Sequence, residues 1–217
     1  MSPYLGSIVG YPIPVFALTL DIGLLAGLAL TGSLAAQRGI ALHRVFDAAL
    51  LILLAALAGS RAWYVVEHWN DYAPTPLATL AVWEGGLALP GGVLSAALAS
   101  RRAARIARVP FATLVDAGAI GAALGQAIGR LGCVPAGCAA GKVVSELWLG
   151  APSLRLPDAA GVVSARFPSQ LVEAACELLL AVVLWLAWRA RPRGGAVAWA
   201  YLVGYGLIRL AAEPLRA

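Results

Sequence analysis

Six apolar stretches punctuate this chain, at residues 15–36, 45–67, 85–100, 111–132, 169–188 and 196–213. Crossing the hydrocarbon core of a bilayer takes about 20 residues of helix, so each stretch predicts a membrane span. Lipid-exposed strands are excluded, because unpaired backbone N–H and C=O groups cannot face hydrocarbon. The third stretch is short and carries Pro90-Gly91-Gly92, which predicts a broken or tilted span. The expected fold is all-α: a polytopic transmembrane helical bundle of about six spans, forming one domain over residues 1–217.

The arginines sort by loop and predict an orientation. Arg38 and Arg44 separate spans one and two; Arg101, Arg102, Arg105 and Arg108 separate three and four; Arg189, Arg191 and Arg193 separate five and six. Basic loops stay cytoplasmic, so both termini and the loops at 68–84 and 133–168 are expected to face outward. Composition agrees: 61% of residues are hydrophobic and 12% charged, with a mean hydropathy of +0.82. A soluble domain of this length does not need that much apolar surface. The net charge of +5 therefore orients the chain and does not point to nucleic acid. The opening "MSPYLGSIVGYPIP" has no basic flank and ends in prolines, so no cleaved signal peptide is expected. Three cysteines in so apolar a chain do not make a disulfide scaffold.

With the loop arginines set aside, a polar set remains in or near the spans: Arg61, Arg130, Arg209, Asp21, Gln126, Glu173, Glu177 and Glu213. The topology puts every one in the outer half of its helix. An ionisable group at the centre of a span costs about 2.5–3.5 kcal/mol on insertion scales, so such groups face an interior or wet cavity and pair. Two readings stand. The arginines bridge Asp21, Glu173 and Glu213 structurally, or they line a polar cavity open to the outer leaflet, where guanidinium forks suit a phosphate headgroup. Glycines crowd the same region, at 85, 86, 91, 92, 129, 132, 137 and 141, and permit close approach by a ligand or by another helix.

Several motifs resemble those of the prolipoprotein diacylglyceryl transferase family, in order and spacing. They are "GSRAWYVVEHW" (59–69), "WEGGLALPGG" (83–92), "LGQAIGRLG" (124–132), "RFPSQLVEAACE" (166–177) and "RGGAVAWAYLVGYGLIRLAAEPLR" (193–216). The resemblance implies an enzyme that moves a diacylglyceryl group from phosphatidylglycerol, or another anionic phospholipid, to the thiol of a prolipoprotein lipobox cysteine. Its setting would be the outer face of the bacterial cytoplasmic membrane. It implies catalytic roles for Arg130, Arg209 and Glu213, with Glu213 orienting Arg209 from one turn away. It also implies substrate contacts at Arg130, Arg209 and Gly141; Gly91, Gly92 and Arg61 complete the expected substrate-binding set. No cofactor, metal or nucleic acid is expected.

The chain departs from the family pattern at several of these positions. Pro90 stands where the family has a histidine, Cys133 where it has an asparagine, Cys138 where it has an acid, and Phe167 where a histidine is frequent. No tyrosine occupies the first span, and the chain stops before the usual last helix. A general base is then unassigned, with His68, Glu84 and Glu146 as outer-side candidates, although His68 beside Trp69 fits an interfacial belt. Cys133 and Cys138 admit a disulfide, reactive thiols or, least readily, a metal pair; Cys176 fits packing. Two other functions stay open: transfer to another acceptor, and non-catalytic binding of an anionic lipid.

Overall fold

A computed structural model describes the whole chain except residues 1–3, 9–10, 83–84, 145–146, 149–150, 159, 191–192 and 217. A hairpin of β1 (Tyr4–Ile8) and β2 (Tyr11–Pro14) leads into α1 (Val15–Ala36). Then come α2 (Leu42–Glu67), the single-turn α3 (Trp69–Tyr72), α4 (Leu89–Ile106) and α5 (Phe111–Ala136). Two short hairpins follow, β3 (Leu147–Trp148) with β4 (Ala151–Pro152) and β5 (Leu154–Pro157) with β6 (Val163–Arg166). The chain closes with α6 (Ser169–Arg189) and α7 (Ala196–Ala212).

The protein is mostly helical, and among the described residues four helices are long and apolar enough to cross a membrane: α1, α2, α5 and α6. The two other long helices, α4 and α7, have 18 and 17 residues. Three expectations change. Pro90 does not break a span; it sits in the first turn of α4, where its missing N–H would have had no partner anyway. That helix then runs on through Arg101, Arg102 and Arg105, residues read from sequence as a loop. Likewise α5 runs past residue 132, so Cys133 and Pro135 belong to its last turns. The short hairpins lie before α1 and between α5 and α6, where strand pairing satisfies the backbone.

Contacts divide the chain into two units, Met1–Thr31 with Asp116–Ala217 and Gly32–Val115. In the first, α1 and α5 meet backbone to backbone. A Cβ on Gly23 would lie 2.5 Å from Gly125 O, and one on Gly27 would lie 2.6 Å from Gly121 O. Glycines four apart on both helices thus create a crossing that larger residues would pry open, which is how spans pack without a hydrophobic driving force. Asp116, buried on α5, accepts hydrogen bonds from Gly195 N and Ala198 N, both at 2.8 Å, and so caps the start of α7 from another helix. These contacts set α5 and α7, which carry Arg130 and Arg209.

The second unit is built on α2 against α4. Gly59 and Gly91 face each other, and a Cβ on either would strike the other's carbonyl oxygen. Gly92 packs on Ser60, whose Cβ would be 3.3 Å away. A small apolar core joins Ala35, Val45, Ala48, Ala103, Ala104, Ala107 and Leu114. Many large aliphatic side chains face out while Glu173 and Glu177 are inside: Leu210 is 73% exposed, Glu173 only 2%. That inversion is what lipid as a solvent requires.

Candidate functional site

In the first unit an ionic chain links three segments. Arg130, near the end of α5, places Nη2 3.1 Å from Glu173 Oε2 and Nε 3.7 Å from Glu177 Oε1. Glu173 and Glu177 are one turn apart on α6, so both face the same way. Glu173 also accepts from Arg216 just beyond α7, through Nε at 2.8 Å and through Nη2 in a second, close contact. A carboxylate held bidentately on one side and by a further guanidinium on the other is a strong charge-assisted arrangement. Along α5, one turn before Arg130, Gln126 Oε1 accepts from Tyr201 Oη of α7 at 2.9 Å.

The backbone beyond α5 holds this chain in place. Gly141 is bridged to Arg216, and Lys142 N donates to Leu215 O at 3.0 Å. On the other side of that segment, Phe167 N donates to Lys142 O and Val144 N to Ala165 O, each at 3.0 Å. Arg166 adds Nη1 to Gly141 O at 3.2 Å and pairs with Asp158 at 2.8 Å. A Cβ at Gly141 would collide with Phe167 O. Gly141 is thus a glycine because three segments cross there, and the crossing delivers Arg216 to Glu173.

The disulfide Cys133–Cys138, with a Cα–Cα distance of 4.9 Å, closes the turn that ends α5. That turn docks on the start of α6: Gln170 Nε2 donates to Cys138 O at 3.2 Å and Ser169 Oγ to Ala139 O at 2.9 Å. Ser169 and Gln170 are fully buried. Arg209 and Glu213 form their own pair at 2.9 Å, four residues apart and partly exposed. Arg209 Nη1 is nonetheless buried and has no hydrogen-bond partner, and the same is true of Glu177 Oε2. Beside Glu173 a half-open cavity of about 320 Å³ separates α6 from α7. Its walls are Val172, Cys176, Leu207, Ile208 and Ala211.

The second unit treats its arginine differently. Arg61 is buried and donates to Thr79 O and Ala78 O at 2.8 Å, to Gly85 O at 2.6 Å and to Gly86 O at 3.1 Å. Its guanidinium also lies over the Tyr72 ring. Arg61 is a clasp for Ala78, Thr79, Gly85 and Gly86, and Gly91 and Gly92 serve the packing of α4 on α2. His68 stacks on Tyr64 with centroids 4.1 Å apart and its Nδ1 3.0 Å from Tyr64 O, at the end of α2. Glu84 and Glu146 lie outside the described residues, and Asp21 is exposed on α1. Sequence reasoning passed over Arg216, whose signal was an arginine three residues after Glu213, and Gln170 and Asp116, which carry no charge pattern of their own.

Fold and site together define a helical membrane protein with a buried cluster of arginines and carboxylates beside an apolar cavity. The chain belongs to the prolipoprotein diacylglyceryl transferase family, whose model matches residues 3–217. It is similar to phosphatidylglycerol–prolipoprotein diacylglyceryl transferases of several bacteria. That of Parasynechococcus marenigrum (strain WH8102) is 33% identical over 208 residues, covering 93% of this chain and 75% of that protein. The Synechococcus elongatus protein is 34% identical over 93% of this chain and 72% of its own length. For Geobacter sulfurreducens the values are 32%, 93% and 76%.

Proposed function

We propose that this protein is a phosphatidylglycerol–prolipoprotein diacylglyceryl transferase of the bacterial cytoplasmic membrane, working at its outer face. The observation that carries the reading is the ionic chain Arg130–Glu173–Arg216 beside an apolar cavity, in a chain of this family. Thioether formation requires a sulfur nucleophile at the glyceryl carbon and stabilisation of the departing phosphate. Arg130 and Arg209 supply donors for the phosphate oxygens, with Glu213 steering Arg209. The cavity between α6 and α7 receives part of an acyl chain. Both termini and the hairpins that follow α5 lie on the outer side, and α4 and α7 cross the membrane with the four longer helices. Gly141 contributes by bringing Arg216 to Glu173.

A second reading keeps the lipid chemistry and changes the acceptor. It is favoured by the disulfide where the family pattern has an asparagine and an acid, and by Pro90 in place of a histidine. Binding of an anionic lipid without transfer is the non-catalytic version.

Complementation separates these readings. In a bacterium depleted of its own transferase, the intact chain should restore thioether lipidation of a reporter precursor, and Arg130→Ala or Arg209→Ala should abolish it. A well-inserted protein that lipidates no precursor would overturn the reading.

A further inference from the structure

Among the described residues, four buried side-chain atoms have no hydrogen-bond partner, and two of them belong to this site: Arg209 Nη1 and Glu177 Oε2. Buried polar atoms are nearly always satisfied, so each exception calls for an explanation. These two are complementary in kind. One is a cationic donor and the other an anionic acceptor, and the two reacting groups of the proposed substrates are an anionic phosphate and a thiol S–H. The phosphate needs donors. The thiol needs an acceptor for its proton. Among the described residues, His68 is spent on Tyr64 at the end of α2, and Glu173 is held by two arginines.

We propose that Glu177 is the proton acceptor for the incoming thiol. The inference rests on the transferase reading. Its geometry differs from that of Glu173 in the way a base requires. Glu173 is locked by a bidentate Arg216 and by Arg130 at 3.1 Å. Glu177 has only a 3.7 Å approach to Arg130 Nε, too long for a hydrogen bond. When a phosphate engages Arg130, Glu177 loses its nearest cation and stands as a buried charge with weakened pairing, a state that accepting a proton relieves. Lipid binding therefore readies the base, and the base is not exposed to water before the lipid arrives.

The step balances. The S–H proton passes to Glu177 Oε2, and the sulfur lone pair forms a C–S bond to the terminal glyceryl carbon of the diacylglyceryl group. The C–O bond to phosphate breaks with its electron pair staying on oxygen, where Arg130 and Arg209 meet the charge. The proton then moves from Glu177 to the departing glycerol phosphate, which restores the carboxylate.

The test uses the full chain in phosphatidylglycerol-containing nanodiscs with two synthetic lipobox peptides, one with cysteine and one with selenocysteine at the acceptor position. A selenol is already ionised at neutral pH and needs no base. Glu177→Gln should slow transfer to the cysteine peptide about 100-fold or more, the usual worth of general base catalysis, with KM for the lipid little changed. With the selenocysteine peptide the same variant should match the wild type within about 3-fold, which a merely structural role would not produce. Should Glu177→Gln not insert, Glu177→Asp carries the test: its cysteine-to-selenocysteine rate ratio should fall about 10-fold. Unchanged cysteine transfer in Glu177→Gln, equal slowing with both peptides, or an unchanged ratio in Glu177→Asp would overturn the proposal while leaving the transferase reading intact. A wild-type chain inactive on both peptides would overturn the two together.

Discussion

Arg61 and Arg130 are both arginines within apolar helices, and they are satisfied in opposite ways. Arg61 ends on four backbone carbonyls of one segment. Those acceptors are fixed, neutral and used up, so the side chain holds a loop. Arg130 ends on two side-chain carboxylates of α6, one of them shared with Arg216. Those acceptors are charged side chains, and Glu177 Oε2 still has no hydrogen-bond partner. A guanidinium saturated by backbone is structural, whereas one balanced by side chains can exchange a carboxylate for a phosphate at little cost. Both count as intramembrane charge, and only their partners tell them apart.

The largest effect is expected at Glu173. Glu173→Ala leaves Arg130 and Arg216 as cations without their shared anion, and breaking a buried pair from one side costs about 3–5 kcal/mol. Denaturant unfolding in detergent checks this, and a loss below 1 kcal/mol would mean that the cluster is not the buried network described. Next comes Arg130→Ala, which should lower the transfer rate by about 10²–10³ while leaving the unfolding midpoint nearer to wild type than Glu173→Ala does. Rates and melting curves on the same preparation separate the two. The contrast predicts the reverse pattern for Arg61→Met. Carbonyls stripped of their donor cost about 1–3 kcal/mol of stability, whereas transfer per folded molecule should stay within a few-fold of wild type. A large fall in rate at unchanged stability would erase the distinction between the two arginines. The smallest effect is at Asp116: loss of a helix cap in Asp116→Ala costs about 1 kcal/mol, read as a modest drop in melting temperature. Thiol blocking supplies a check without mutation. Cys133 and Cys138 should resist alkylation until reduced, while Cys176 has no bridge.

Much of the frame was legible from hydropathy because lipid imposes a one-dimensional rule. About 20 apolar residues make a span whatever surrounds them, and the stretch at 15–36 coincides with α1 while that at 169–188 nearly matches α6. Errors fell where local chemistry competes with hydropathy. Pro90 looked like a break and is a helix start. Cys133 looked like loop and is helix, since a helix continues until its last carbonyls find partners. Short pairings such as Leu154 with Arg166 have no apolar signature and were invisible.

For the site, the residue types and their helical spacing came from sequence alone: Glu173 with Glu177 and Arg209 with Glu213, each at i, i+4 and so on one helix face. Which carboxylates meet Arg130 did not. Arg209 keeps to its own helix neighbour, while Arg130 reaches across to α6 and shares Glu173 with an arginine 86 positions further on, Arg216. Sequence determines what must be buried, because the membrane makes charge expensive. Tertiary structure decides how that charge is balanced, because pairing depends on a few ångströms set by glycine crossings and by the strand pairing around Gly141, and neither distance is encoded in composition or period.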